Sequence, residues 1–402
     1  MSAIERQYSI EKHIKWVVCM GDFSLLRDTL SKKKNEKQTA FWTILSLIDS
    51  LLRGFGQVVF ANNPISGMLI IGALGLTVTG VAIAGVATGV LGLLISVLIG
   101  GSPEHIENGL TVYNPLLIGA VTYSIFPTQY GNWDSFAILI TLVSAIASVY
   151  LARSFANGKY PCITWPFNIL QIMILLILME QANDHPTNYL EKNTTELIQN
   201  KSTIINNNPD WGLVFRGILT SASQVFAVDN VAVGSTIYLA ILIYSPVTAA
   251  FSFTGAFIGT ISALGLGVPY DTIYSGLWGY NSLLTCSSLG GIFMVLNSQS
   301  IPLTFIAGVF TVFLQYIIYQ FFIRIQLAVL TVPFVTTVWL FMGLRESEDN
   351  TFLYPVISTF PEDIRFNFFH HNQFSLDLAS SNSQVDENYG KSSISVFPDT
   401  KQ

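Results

Sequence analysis

Residues 54–103 read GFGQVVFANNPISGMLIIGALGLTVTGVAIAGVATGVLGLLISVLIGGSP and contain no Asp, Glu, Lys or Arg. Residues 272–323 form a second run that lacks the same four residue types. A helix crosses about 30 Å of hydrocarbon with about 20 residues, so each run is long enough for at least two crossings. Because unpaired backbone groups are costly in lipid, these crossings must be helices rather than an open sheet. The sequence therefore predicts an all-α polytopic membrane protein.

The composition agrees with this class and indicates an orientation. Of the 402 residues, 51% are hydrophobic and 11% are charged, whereas soluble domains carry roughly 25% charged residues. Eight of the nineteen Lys and Arg residues precede residue 40, so the positive-inside rule predicts a cytoplasmic N-terminus. The opening residues lack the pattern of a cleavable signal peptide. The three cysteines are too scattered to indicate a disulfide framework or a metal site, and we expect no metal and no cofactor.

The chain contains an internal repeat with a constant spacing. Three motifs of the first half recur 167 residues later without a gap. The pairs are residues 57–63 (QVVFANN) and 224–230 (QVFAVDN), 109–114 (GLTVYN) and 276–281 (GLWGYN), and 164–167 (TWPF) and 331–334 (TVPF). Because all three pairs are separated by the same number of residues, they indicate a duplicated transporter-like unit.

The apolar blocks and the polar segments between them predict five parts. They are a basic cytoplasmic N-terminal segment (1–40), a first transmembrane repeat (41–182), an extracellular connector (183–212), a second transmembrane repeat (213–345) and a cytoplasmic tail (346–402). The connector contains N-glycosylation sequons at Asn193 and Asn200, which favour an extracellular face. An inside N-terminus and an outside connector require an odd number of crossings. The first half fits five spans plus one shorter element, and the odd number inverts the second half.

At these motifs the chain resembles the urea transporter family. The resemblance rests on residues 57–67 (QVVFANNPISG), on residues 276–282 (GLWGYNS) and on the two Thr-x-Pro-Phe segments, and it extends from about residue 40 to 343. It implies two inverted five-helix repeats, each with a tilted re-entrant helix. It also implies a homotrimer in the plasma membrane in which each subunit conducts urea passively.

The resemblance further implies roles for particular residues. Gln57 and Gln224 would line the pore and accept hydrogen bonds from urea. Thr164 and Thr331 would face one another near the pore centre. The remaining pore-lining side chains would be Phe60, as part of a flat slot, with Leu117 and Leu284.

Each of these residue types also has an ordinary structural role. An intramembrane glutamine can bond a neighbouring helix, a phenylalanine can face lipid, and a threonine before proline can satisfy a kinked backbone. Asp229 is the sole ionisable residue between Gly217 and Tyr270. It is therefore either a substrate-binding residue of the pore or a helix N-cap beside Gln224. Glu104 and Asp271, also 167 residues apart, are expected to cap the re-entrant helices.

Three classes of function remain to be weighed. A passive pore for urea, with water or urea analogues as further solutes, fits the scarcity of charge in the membrane. An ion-coupled secondary transporter needs intramembrane ionisable residues, and Asp229 is the clear candidate. A receptor or an enzyme is disfavoured because the sequence shows no nucleotide-binding loop, zinc spacing or nucleophile motif. We expect the lipid bilayer and urea as partners, and no nucleic acid.

Overall fold

The computed structural model describes residues 21–37, 39–129, 133–156, 158, 160–184, 208–346, 359–366 and 368. Within these ranges the regular elements are helices, and no strand occurs. The α-helices, in chain order, are α1 (Ser24–Lys37), α2 (Ala40–Gln57), α3 (Pro64–Thr77), α4 (Thr79–Leu98), α5 (Pro103–Glu107), α6 (Tyr113–Gln129), α7 (Ser135–Phe155), α8 (Trp165–Asp184), α9 (Trp211–Gln224), α10 (Val231–Tyr244), α11 (Pro246–Gly265), α12 (Tyr270–Tyr274), α13 (Tyr280–Leu289), α14 (Ser300–Phe322) and α15 (Val332–Met342). Short 3-10 turns follow α14 and α15, at Ile323–Ile325 and Gly343–Glu346.

Four segments combine the length and the apolar composition of a membrane span. They are Thr79–Leu98, Ser135–Phe155, Pro246–Gly265 and Ser300–Ile325. Each has about 20 residues or more, which matches the thickness of a hydrocarbon core. Shorter apolar helices accompany them, among them α3 and α10. The chain is a multi-pass membrane protein, and the predicted all-α class is confirmed.

The secondary structure repeats with the same spacing as the sequence motifs. The bounds of α10, α11 and α12 are those of α3, α4 and α5 shifted by 167 residues. The helices after them correspond less closely, since α13 and α15 are shorter than α6 and α8. The inversion of the second half and the division into five parts stay predictions.

The two halves pack against each other through their shorter helices. Helices α3 and α10 are in contact, and the Ser66 hydroxyl of α3 donates to the Ala240 carbonyl of α10 over 2.6 Å. Each of these helices also crosses the preceding helix of its own half closely. A Cβ on Gly67 would lie 1.7 Å from the Leu52 carbonyl oxygen, and one on Gly234 would lie 2.1 Å from that of Leu219.

Asp229, Glu104 and Asp271 do not form side-chain N-caps, although Glu104 and Asp271 oppose the helix dipole as expected. Helix α10 is capped by Asn230, whose side chain accepts from the Val233 amide over 3.1 Å, so its neighbour Asp229 is not the cap. Glu104 and Asp271 lie in the first turns of α5 and α12, and the N-cap positions before them make no side-chain cap bond. A carboxylate in a first turn still opposes the positive end of the helix dipole without capping the helix.

The terminal segments that the structure describes meet at the turn between α10 and α11. The Gly21 amide donates to the Tyr244 carbonyl over 3.0 Å. From the other end of the chain, the Glu362 carboxylate accepts from the Ser245 hydroxyl at 2.8 Å and from the Val247 amide at 3.0 Å. The Phe360 ring lies 6.3 Å from that of Tyr244, edge to face. The first and the last described segments therefore contact the helical bundle at one place.

Candidate functional site

Gln57 and Gln224 end α2 and α9 and have equivalent hydrogen bonds. The Gln57 amide nitrogen donates to the Asn108 carbonyl over 3.0 Å. The Gln224 amide nitrogen donates to the Ser275 carbonyl over 2.8 Å. Both side chains are half-buried, and no donor among the described residues bonds either Oε1. In each half the amide nitrogen anchors the side chain while the carbonyl oxygen stays available as an acceptor.

A glycine turn brings each backbone acceptor to its glutamine. Gly109 follows Asn108 with φ +69°, and Gly276 follows Ser275 with φ +85°. Such backbone conformations favour glycine. A Cβ at Gly109 would lie 2.4 Å from the Gly54 nitrogen, and one at Gly276 would lie 2.6 Å from the Ser221 nitrogen. Both turns therefore lie directly against the helix that carries the glutamine.

An aromatic group lies just beyond the first glutamine. Phe60 and its counterpart Ala227 both have a positive φ, at +62° and +55°. The Phe60 ring meets those of Phe293 and Phe334 edge to face, with centroids 5.8 and 5.9 Å apart. The second half has alanine at the matching position, so the predicted flat slot is asymmetric.

Thr164 and Thr331 connect the two halves. Their hydroxyl oxygens are 2.8 Å apart. Thr331 donates its hydroxyl proton to Asn168 Oδ1 over 3.1 Å, because that oxygen can only accept. Thr331 therefore accepts from Thr164, whose own oxygen keeps acceptor capacity. The structure brings these two predicted residues together, and their place in a pore stays a prediction.

The loops before these threonines are held in the same way in both halves. Asn114 donates to the Ile163 carbonyl over 3.1 Å, and Asn281 donates to the Leu330 carbonyl over 3.2 Å. Both acceptor residues have positive φ, 46° and 54°. A β-branched or bulky residue is uncommon there, so the surrounding contacts hold a costly conformation.

Leu117 and Leu284 lie on α6 and α13 and are each 1% exposed. Both belong to the continuous hydrophobic core. The structure thus places them inside the bundle rather than towards lipid, and their contact with a solute stays a prediction.

Asp229 is paired with a residue that the sequence reading overlooked. Its carboxylate accepts from the Arg216 guanidinium over 2.7 Å, and the two side chains are 41% and 35% exposed. Arg216 also donates to the Tyr274 carbonyl over 2.7 Å, next to the Ser275 carbonyl that Gln224 uses. Arg216 directly precedes the stretch in which Asp229 is the sole ionisable residue, so a search for charges within that stretch could not find it. Asp229 is therefore an ion-pair partner beside Gln224.

Several other side chains near these residues were also missed. Asn108 accepts from Arg27 at 2.6 Å and from Asn62 at 3.0 Å through its side chain. Asn168 directly follows the first Thr-x-Pro-Phe motif, which is the signal that could have identified it. Buried Arg53 bonds Asp49 at 2.7 Å and the Asn62 carbonyl at 3.0 Å, which braces the loop before Asn63.

The structure leaves the predicted glycosylation sites untested. Asn193 and Asn200 lie outside the described residues. Among the described residues, no group of His, Cys, Asp or Glu side chains could hold a metal ion.

The helices and these polar positions define a multi-pass membrane protein whose structural elements recur at a fixed spacing. A family model described as "Urea transporter" matches residues 48–346, and the chain belongs to the urea transporter family. It is similar to Urea transporter 1 of Rattus norvegicus, with 27% identity over 350 residues that cover 85% of this chain and 90% of the relative. It is also similar to Urea transporter 1 of Capra hircus, with 29% identity over 325 residues that cover 80% and 83%.

Proposed function

We propose that the protein conducts urea passively across the membrane, down its gradient, through a pore within each subunit. The observation that carries this proposal is the pair Gln57 and Gln224. Each is anchored by its amide nitrogen on a backbone carbonyl and has a carbonyl oxygen that bonds no described donor. The family membership and the names of the relatives support urea as the solute.

The chemistry of urea explains why such positions are needed. Urea is planar and has four N–H donors and one carbonyl acceptor. Stripping an amide of water without replacement costs roughly 4–8 kcal/mol in a medium that cannot form hydrogen bonds. Side-chain amides and hydroxyls replace the lost acceptors without adding charge. In the proposed path the acceptors are Gln57 and Gln224 towards the two ends and Thr164 with Thr331 at the centre.

Apolar surfaces complete the proposed path. Phe60 forms one wall of a flat slot with the rings around it. Leu117 and Leu284 line the path between the polar positions. Apolar walls offer no replacement for the water shell of an ion, so they exclude hydrated ions while admitting a flat neutral solute.

The environment of Asp229 favours a passive mechanism over ion coupling. A coupling residue must exchange a proton or a sodium ion during transport, and the Asp229 carboxylate already bonds Arg216 at 2.7 Å. The charge of the pair is balanced without a transported ion.

The remaining parts of the proposal concern topology and assembly. We place the protein in the plasma membrane with both termini in the cytoplasm, the connector outside and the second repeat inverted. The meeting of both terminal segments at the α10–α11 turn supports termini on one side. We also propose a homotrimer. Light scattering on the detergent-solubilised protein tests this assembly, and a monomeric mass would contradict it.

The test of the function is urea flux into liposomes that contain the purified full chain. We expect flux that follows the urea gradient alone and is indifferent to sodium and pH. Liposomes without protein are the control. Under voltage clamp in cells, urea should carry no current. A urea-dependent current, or a requirement for a sodium or proton gradient, would establish coupled transport instead.

A further inference from the structure

Helix α8 carries two buried side-chain amides, and the nitrogen of each has no hydrogen-bond partner among the described residues. Asn168 is 1% exposed and Gln171 is 0% exposed. Neither Asn168 Nδ2 nor Gln171 Nε2 has a hydrogen-bond partner among the described residues. The two residues are three positions apart on one helix, so their side chains lie on the same face.

The orientation of the Asn168 amide is determined by its neighbours. Its Oδ1 accepts from the Thr331 backbone amide over 3.1 Å and from the Thr331 hydroxyl over 3.1 Å. A backbone N–H can only donate, so the atom that faces it must be the oxygen. The unpaired atom of Asn168 is therefore a donor, and it lies beside the Thr164–Thr331 contact.

The Gln171 side chain lies on the same face of α8 as Asn168 and is hydrogen-bonded to α6. The Thr122 hydroxyl bonds Gln171 Oε1 over 3.1 Å, which leaves the amide nitrogen as the free end. The second half has Val335 and Val338 where the first half has Asn168 and Gln171. Because the equivalent helix packs with valines there, the duplicated fold does not require amides at these positions.

We propose that Asn168 and Gln171 form a donor site for the carbonyl oxygen of the permeating solute. This inference rests on the proposed urea conduction and adds a component that the acceptor residues do not supply. Gln57, Gln224 and Thr164 serve the N–H groups of urea, whereas its oxygen needs donors. A buried donor without a partner is costly, and a passing carbonyl oxygen at the centre of the path satisfies it. The solute then meets acceptors and donors at the same level of the membrane.

The test compares urea with thiourea, whose sulfur is a weaker hydrogen-bond acceptor than oxygen. Asn168→Leu and Gln171→Met remove the donors and keep the approximate side-chain volume. We expect the ratio of urea flux to thiourea flux to fall about tenfold in Asn168→Leu, the effect of one lost hydrogen bond, and to fall in Gln171→Met as well. Flux is measured in liposomes and divided by the amount of reconstituted protein.

The repeat provides matched controls. Val335→Leu and Val338→Met introduce the same apolar side chains at the equivalent positions without removing a donor, and their flux ratio should stay at the wild-type value. Asn168→Leu also deprives the Thr331 amide of its acceptor, so Gln171→Met, which leaves Thr331 untouched, decides the outcome if Asn168→Leu does not fold.

The outcomes separate this inference from the proposed function. If liposomes that contain the wild-type protein show no urea flux, the proposed function itself is overturned. If the wild type conducts urea and the variants lower urea and thiourea flux equally, the amides only pack helices or hold a resident water, and the inference is overturned. An unchanged ratio with unchanged flux would overturn it too.

Discussion

Gln57 and Gln224 each bond the protein through the amide nitrogen and leave the carbonyl oxygen available for the proposed solute. This division distinguishes them from Gln315, a buried glutamine whose amide nitrogen and carbonyl oxygen both have partners within the protein. Gln315 donates to the Leu277 carbonyl at 2.7 Å and accepts from Asn281 at 3.0 Å. The residue type is the same, and the partners determine which role it has.

Replacing Gln57 or Gln224 with leucine should therefore lower urea conduction. Gln57→Leu and Gln224→Leu leave urea N–H groups unmatched over part of the path, which costs about 1–3 kcal/mol. Since each 1.4 kcal/mol is a factor of ten in rate, flux should fall by roughly 5- to 150-fold if that step limits transport. Flux into liposomes measures the effect.

Gln315→Leu is the control for this experiment. It should lower thermal stability, because two hydrogen bonds inside the protein are lost, without lowering the urea flux per amount of folded protein. Normal urea flux through both Gln57→Leu and Gln224→Leu would show that these glutamines only join helices.

At the scale of the helices, the same close contact between two neighbouring helices occurs in both halves. Gly67 of α3 lies against the Leu52 carbonyl of α2, and Gly234 of α10 lies against the Leu219 carbonyl of α9. Contact of backbone with backbone lets two helices approach without a side chain between them, as small residues do in membrane helix pairs. These crossings hold the helices that end in Gln57 and Gln224.

Alanine at either glycine should separate the two helices or strain them. A Cβ would lie 1.7 Å from a carbonyl oxygen at Gly67 and 2.1 Å at Gly234, so the backbone must move. Overpacking of this kind costs about 1–3 kcal/mol. Gly67→Ala and Gly234→Ala should lower the melting temperature of the detergent-solubilised protein.

Gly72→Ala, on the same helix as Gly67, is the matched control. No atom lies within 4 Å of a Cβ at Gly72, and alanine is the better helix former. Its melting temperature should equal or exceed that of the wild type. Equal melting temperatures for Gly67→Ala and Gly72→Ala would show that α2 and α3 can separate without cost.

At the scale of the whole molecule, the first and the last described segments bond the helical bundle. Gly21 bonds Tyr244, and Glu362 bonds the Ser245 hydroxyl and the Val247 amide at the start of α11. A carboxylate at the N-terminal end of a helix also opposes the positive end of its dipole. The segment around Glu362 thus acts as part of the folded unit.

Glu362→Ala should destabilise the protein through this contact. The Val247 amide and the Ser245 hydroxyl lose an acceptor, which costs about 1–3 kcal/mol. Thermal unfolding measures the loss. Glu36→Ala is the comparison, since the exposed pair of Glu36 with Lys32 at 3.8 Å contributes little. If both variants melt at the same temperature, the segment around Glu362 does not stabilise the bundle.

The predicted topology can be tested through the two sequons. Asn193 and Asn200 should carry glycans in a glycosylating host, because five spans separate a cytoplasmic N-terminus from the connector. Asn193→Gln and Asn200→Gln should each lower the apparent mass by one glycan, and glycosidase treatment should remove the difference. If neither variant changes the apparent mass, the sequons do not support an extracellular connector.

The sequence by itself determined the class of fold, its duplication and the positions of the polar motifs. Uncharged runs of residues can only become helices in lipid, and the 167-residue spacing of the motifs reappears in the bounds of α3, α4 and α5 and of their counterparts. Only the tertiary structure decided which polar groups meet. Asp229 pairs with Arg216, and the Gln57 and Gln224 amides bond the Asn108 and Ser275 carbonyls. These contacts join different helices and loops, and side-chain hydrogen bonds depend on distances of a few tenths of an ångström. Such distances are set by how the helices cross, which periodicity and spacing do not encode.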